Sequence, residues 1–457
     1  MAVLCFGLTS LNASAQDDPF RRVNQDELAS FYGRMNVVVG SGARAFGMGG
    51  AFLARADDAT AASWNPAGLS YLRRTEVSLV GVNNNFLQLL PRENNSASPA
   101  RPVTTRDELR ASVADFAGFA YPLRIKGRTG AVQASYQRSF SFTGSRSSEA
   151  PAGGEEFSVK GQGGFDTLSL SSGFELRSDL RVGVSVNRWI NGFSQTVDRK
   201  LGRAVTSDWE ISGTNYNLGV VFTPAPELNL GAVFKSPFRA RIDLTKTRTD
   251  GDTGAIDTPV RRDNVEIRFP RVFGVGASYR ATNTLTLSAD FTHTAWSRST
   301  ILNFFSLPPK TITGAGVSVQ GVDEYPLPLP FPAVEEGANG QADSTQLRMG
   351  GEWVLRFDES GNILIPLRAG FFRDGQPVVK RLRFFEGGPV SEYKRSFTGW
   401  TAGAGVTMGG VLFDVAYIRE MGSVPASRTG DGVLDSSINV RYNRIFASMM
   451  VRFGQRR

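Results

Sequence analysis

The stretch Leu285-Thr286-Leu287-Ser288-Ala289-Asp290-Phe291-Thr292-His293 decides how the rest of the chain is read. Every second residue is apolar or aromatic, and the residues between them carry hydroxyls or a carboxylate. Successive side chains of an extended chain point to opposite faces, so this is a strand with one greasy and one polar face. The pattern recurs. Val132, Ala134, Tyr136 and Phe140 alternate with Gln133, Ser135, Gln137 and Ser139, and Leu180, Val182, Val184 and Val186 alternate with Arg181, Gly183, Ser185 and Asn187. Phe273, Val275, Ala277 and Tyr279 share a face, as do Val411, Phe413, Val415 and Tyr417, and Ile445, Ala447, Met449, Val451 and Phe453.

Working outward, the alternation predicts fourteen strands: 75-86, 113-124, 128-142, 165-177, 180-196, 209-223, 227-246, 265-279, 284-300, 346-357, 363-373, 397-408, 411-420 and 440-453. The links between them alternate strictly between short, such as 178-179 and 409-410, and long, such as 143-164 and 301-345. Tight turns at one end and long loops at the other are expected of a transmembrane β-barrel. The fold class is therefore all-β: a transmembrane 14-stranded antiparallel β-barrel. A closed sheet leaves no backbone N–H or C=O unpaired in hydrocarbon, and it absorbs a 457-residue chain that would otherwise divide into several soluble domains. No run of 18 apolar residues is present, so no helix is read as crossing a bilayer. A water-soluble sandwich is the competing reading, and it offers no reason for the long loops to gather at one end.

Ahead of the strands the chain changes character. Ala2 to Leu11 is mostly apolar, and Ala13-Ser14-Ala15 is a small-x-small cleavage pattern, so 1-15 reads as the remnant of an export signal. Residues 16-74 read as an N-terminal hatch, or plug, and 75-457 as the barrel. The hatch carries an expected short helix near Gln25 to Tyr32. Gly40, Gly42, Gly47, Gly49 and Gly50 follow, where small residues let backbone lie close against a curved wall.

Composition excludes several functions. Cys5 is the only cysteine and His293 the only histidine, which leaves little for thiolate, imidazole or soft-metal chemistry. His293 shares parity with the apolar face and is read as a wall residue. The net charge of +8 is scattered without a basic run, so no nucleic-acid partner is expected. Val37-Val38-Val39-Gly40-Ser41-Gly42-Ala43-Arg44-Ala45 imitates a dinucleotide fingerprint, but no full crossover helix follows. The chain is read as no enzyme, with no catalytic residue, cofactor or metal site. Asp290 and Asp414 fall on the polar parity and are read as lumen-facing residues that pair with arginines. The aromatics near strand ends, Phe140, Phe142, Trp189, Trp209, Trp296, Trp353, Trp400 and Tyr442, suit either interfacial girdles or lumen packing. The prolines of 325-332 suit either a greasy outer groove or a stiff loop shielding the mouth, and the Gly-rich 143-164 suggests a mobile loop.

Gly42-Ala43-Arg44-Ala45-Phe46-Gly47-Met48-Gly49-Gly50-Ala51-Phe52 and Ala56-Asp57-Asp58-Ala59-Thr60-Ala61-Ala62-Ser63-Trp64-Asn65-Pro66-Ala67-Gly68-Leu69 resemble the amino-terminal signature of the long-chain fatty-acid and aromatic-hydrocarbon transporters of the outer membrane. Leu228 through Pro237, Phe269 through Tyr279, Leu285 through Ser297 and Ile365 through Phe372 extend the resemblance over nearly the whole chain. It implies a cell-outer-membrane barrel with an N-terminal hatch, in contact with lipid and lipopolysaccharide and inserted by the barrel assembly machinery. It implies passive uptake of a hydrophobic small molecule, a long-chain fatty acid or an aromatic hydrocarbon. It also implies that Asn65, Pro66 and Ala67 lie where hatch meets wall and shape the transport path. A related group with a similar Gly-Ala-Arg-Ala signature acts in protein secretion and surface attachment, so a protein partner is the alternative reading. Two features depart from the pattern: Phe453 is followed by four more residues, and no position matches the family's carboxylate-binding charges.

Overall fold

The computed structural model describes residues 40–92, 103–148, 157–199, 203–250, 255–256, 259–302, 324–326, 343–357, 363–375, 381–383, 390–392, 396–425 and 437–454. The expected helix near Gln25 to Tyr32 and most of the proline-rich 325-332 lie outside the described residues.

Fourteen strands make the wall. They are β1 (Thr75–Arg92), β2 (Val103–Ile125), β3 (Arg128–Ser141, continued by Gly144–Ser148), β4 (Phe157–Arg177) and β5 (Leu180–Ile190, continued by Gly192–Arg199). Then come β6 (Arg203–Ala225), β7 (Leu228–Lys235, continued by Phe238–Asp250), β8 (Val260–Phe269, continued by Val272–Arg280) and β9 (Leu285–Thr294, continued by Thr300–Leu302). The last are β10 (Ser344–Arg356), β11 (Ile363–Gly375), β12 (Ser396–Met408), β13 (Val411–Pro425) and β14 (Ser437–Phe453). Each pairs antiparallel with the next. The seam closes where β14 meets β1, from Thr75 opposite Phe453 to Leu89 opposite Asn439.

The faces are inverted relative to a soluble protein. Leu170, Leu218, Leu287, Phe291, Trp353 and Phe413 are exposed, whereas Ser185, Asn217, Ser288, Glu352 and Arg368 are buried. A polar interior inside an apolar exterior is stable only if hydrocarbon surrounds the wall. The tight turns follow from local chemistry. Lys126 and Gly127 both have positive φ, 50° and 79°, the two-residue hairpin geometry whose twist matches the strands.

A barrel of about eight strands is filled by its own side chains, so fourteen leave a lumen. Residues 40–74 occupy it as two short helices, α1 (Ala43–Gly47) and α2 (Ala61–Trp64), and a 3-10 turn, Pro66–Tyr71. Trp64 is 1% exposed, sits edge-on to Phe46 and Phe52, and donates its indole N–H to Ser41 O at 2.7 Å. Wall glycines make the fit possible. Gly173, Gly183 and Gly219 are consecutive cross-strand partners, as are Gly231 with Gly276 and Gly350 with Gly370. A Cβ on Gly183 would lie 2.2 Å from Pro66 C, one on Gly231 2.5 Å from Leu53 O, and one on Gly350 2.2 Å from Met48 O. Hatch and wall thus touch backbone to backbone around much of the ring. Within the hatch, Gly49 and Gly50 take φ of 69° and 76°, which only glycine adopts without strain.

The wall breaks at one level. β3, β5, β7, β8 and β9 are interrupted at 142–143, Asn191, Ser236-Pro237, Pro270-Arg271 and 295–299. The two prolines supply no ladder N–H, and Asn191 has φ of 63°. Beyond the break the strands pair again as a second sheet. Strand therefore reaches into the expected Gly-rich loop 143-164, at Gly144–Ser148 and from Phe157 onward. The alternation fades there because the inner face becomes apolar: Phe142, Phe165, Phe193, Trp209, Ile242 and Ile267 form one buried cluster.

Candidate functional site: a cavity between the hatch and an aromatic cluster

At the level of the break a cavity of about 100 Å³ lies between the two interiors. Its hatch side is Ala62 and Ser63, from α2. Its polar wall is Ser135, Gln137, Thr167, Ser169, Asn187, Asn215 and Asn217, on the inward faces of β3 to β6. Its aromatic side is Phe140, Trp189, Phe238, Phe269 and Trp296. Phe238 and Phe269 stack at 4.8 Å with 5° between their planes, and Trp189 stacks on both, at 5.0 and 5.4 Å.

Most of the polar lining is internally bonded. Trp189 donates its N–H to Asn215 Oδ1 at 2.9 Å, Asn215 Nδ2 donates to Asn217 Oδ1 at 3.2 Å, and Ser169 donates to Asn187 Oδ1 at 2.7 Å. Lys235, at the end of the first segment of β7, is the charged residue of the lining, and its ammonium donates to Ser63 O at 3.3 Å. In sequence Lys235 is one residue of the Leu228 through Pro237 stretch that carries the resemblance. Its inward parity with Gly231 and Val233 was the signal available.

The aromatics anticipated at strand ends divide. Trp353 and Trp400 are exposed on the outer face. Phe140, Phe142, Trp189, Trp209 and Trp296 are buried inside. Phe140 differs from its predicted face, which it was to share with Val132. Between Arg138, opposite Asp166, and Phe140, opposite Phe165, one extra residue enters β3. This β-bulge reverses the facing of everything beyond it.

Asn65, Pro66 and Ala67 lie at the hatch–wall contact and do not line the cavity. Asn65 is fully buried. Its Nδ2 donates to Leu53 O at 2.9 Å and to the wall carbonyls Val220 O at 3.0 Å and Ala232 O at 3.4 Å, while Oδ1 accepts from Ala67 N at 3.1 Å. Pro66 packs on Gly173 and Gly183. Asp290 and Asp414 both lie inside the barrel. Asp290 accepts from the backbone N–H of Phe52 at 2.6 Å and of Leu53 at 2.8 Å, binding the hatch. Asp414 accepts from Arg368 at 2.7 Å, and Arg368 also holds Glu352 at 2.7 Å. Glu352 in turn receives Arg44 and Arg55 of the hatch. Burial pushes the Asp57 carboxyl upward, but Arg44 and Arg55 outweigh this and hold it below the usual carboxylate range. His293 is half-exposed, with Nε2 3.4 Å from Asp343 Oδ2. Gly40 and Gly42, from the imitation fingerprint, pack on Trp64 and Thr60 inside the hatch. Among the described residues there is no cluster of three or more potential metal ligands.

Fold and site together define a closed fourteen-strand barrel whose lumen is filled by a hatch and which keeps a part-aromatic cavity beside it. The same architecture is seen in a Pseudomonas aeruginosa FadL homologue, at a TM-score of 0.59 and 14% identity, covering 92% of this chain and 99% of that one. The toluene transporter TodX of P. putida gives 0.54 at 13% identity, over 92% and 100% of the two chains. The toluene transporter TbuX of Ralstonia pickettii gives 0.53 at 14%, over 91% and 99%. At such identities the likeness is one of fold. No protein-family model and no curated protein sequence matches the chain.

Proposed function

We propose that this protein is an outer-membrane channel for passive uptake of hydrophobic small molecules. The observation that carries the reading is the cavity: stacked aromatic rings face a partly open space beside a hatch, inside a wall whose outer face is apolar. An apolar solute gains roughly 25 cal/mol for each Å² it removes from water, so about 100 Å² of buried ring contributes about 2.5 kcal/mol towards capture from dilute solution. The proteins of like fold include two described as toluene transporters.

In this reading no covalent chemistry, metal or nucleotide takes part, and the wall is surrounded by lipid and lipopolysaccharide after insertion by the barrel assembly machinery. Residues 1-15 are an export signal and 16-74 the hatch. Asn65, Pro66 and Ala67 act on the path indirectly, by fixing the part of the hatch next to Ala62 and Ser63. Asp290 and Asp414 hold hatch and lumen rather than touch the solute.

Uptake into vesicles reconstituted with the full chain tests the reading, comparing a fatty acid, an uncharged aromatic hydrocarbon and a hydrophilic sugar. The hydrophobic solutes should enter faster than the sugar, and Asn65→Ala should slow them while the barrel still folds. Equal passage of all three, or passage of none while a secreted protein copurifies, would defeat the proposal.

A further inference from the structure

The lining of the cavity bears on which solute it takes, provided that it is a solute site as proposed above. An apolar cavity of about 150 Å³ admits benzene. A partly open space of about 100 Å³ is on that scale, and a long alkyl chain is far larger. Phe238, Phe269 and Trp189 stack nearly parallel and offer flat faces, the shape complementary to a planar ring.

The remainder of the lining is not that of a pure hydrocarbon site, and a chain of hydrogen bonds fixes how it is turned. An indole N–H can only donate, so Trp189 obliges Asn215 to present Oδ1 to it, at 2.9 Å. The Nδ2 of Asn215 then points the other way and donates to Asn217 Oδ1 at 3.2 Å. The relay ends at Asn217, which is 6% exposed and lines the cavity. Its oxygen is occupied from within the wall, and its Nδ2 has no acceptor among the described residues. Water in the lumen can serve this donor. A hydrocarbon that displaces the water leaves it unmet, which is costly, whereas a solute carrying its own acceptor restores the bond. A neutral amide does not offset the dehydration of an ion, so the fitting acceptor is an uncharged one. Lys235, bonded to the hatch at Ser63 O, plays no part in this.

From one ring's worth of space, stacked aromatic faces and an amide N–H whose orientation is set from Trp189, we infer that the cavity takes an uncharged one-ring aromatic ketone or aldehyde. The ring packs on the Phe238–Phe269–Trp189 stack, and the carbonyl oxygen accepts from Asn217 Nδ2. Asn215 is a positioning residue, which keeps the Asn217 amide turned with its donor towards the solute.

The test is calorimetric binding to the purified, detergent-solubilised full chain. The probes are acetophenone, ethylbenzene (the same skeleton without the oxygen), 1-phenylethanol, benzoate and palmitate. Acetophenone should bind saturably. Asn217→Leu should weaken it about tenfold, the worth of one hydrogen bond, and leave ethylbenzene within about twofold. Asn215→Asp keeps the acceptor for Trp189 but no longer donates, so Asn217 turns its N–H to the new carboxylate and its oxygen to the cavity. Acetophenone should again weaken about tenfold, while 1-phenylethanol, which can donate, holds its affinity. Heat-modifiable migration on gels shows which variants are folded, and if Asn215→Asp does not fold, Asn217→Leu decides. Equal weakening of acetophenone and ethylbenzene by Asn217→Leu would make the residue merely structural and overturn the inference, as would unchanged acetophenone affinity in the folded variants. Tighter binding of benzoate or palmitate than of acetophenone would also overturn it, yet leave the hydrophobic-uptake reading intact. If no probe binds or crosses vesicles, both fail.

Discussion

Asp290 shows what a single side chain does in a barrel of this kind. In sequence it is one acid on a polar face. In the fold its Oδ2 receives two adjacent hatch amides, Phe52 and Leu53, in a site 3% exposed. Hydrogen bonds to a charged acceptor contribute roughly 1.5–3 kcal/mol each, so Asp290→Ala should cost about 3 kcal/mol of hatch docking or more. Trypsin would then cut after Arg55 while the barrel stays folded, and Asp290→Asn, which keeps an acceptor oxygen, should be milder. Wild-type resistance in Asp290→Ala would mean that the hatch does not depend on this contact. The lumen-facing parity of Asp290 and Asp414 was legible in the alternation. Its partner was not: Phe52 and Leu53 are more than 230 residues away and irregular in structure. Lys235 was similarly half-legible. Parity turns it inward, but only the fold reveals that Ala62 and Ser63 of the hatch lie beside it with a cavity between.

At the scale of the element, β3 is the informative strand. All fourteen strands were legible, because the polarity period of two is imposed by lipid on one side and lumen on the other. Their far ends were not, because beyond the break the interior is also apolar and the contrast vanishes. The bulge near Ser139 was hidden for a different reason, since an extra residue is defined only against the partner strand β4. Deleting Ser139 should restore one-for-one pairing with Arg138 still opposite Asp166 and Phe140 still opposite Phe165, so both phenylalanines keep their inward facing. Phe140 stacks with Trp189 at 5.9 Å and Phe269 at 6.1 Å. Phe140→Ala loses both contacts, at roughly 0.5–1.5 kcal/mol each, and should weaken aromatic binding about tenfold, whereas the Ser139 deletion should leave it unchanged. Undiminished binding by the folded Phe140→Ala variant would show that this ring is not part of the binding wall.

For the whole molecule, the sidedness of the wall sets its orientation. The tight turns are expected at the periplasmic face and the long connections outside. Ser145→Cys should react with an impermeant maleimide on intact cells, whereas Glu227→Cys, in the turn joining β6 and β7, should react only once the outer membrane is permeabilised. The reverse result would invert the protein. Hatch and wall approach more closely than a methyl group allows at glycines from β4 round to β12, so the girth of the one is matched to the bore of the other. The segment that fills the lumen is therefore also the gauge on which its circumference is cut.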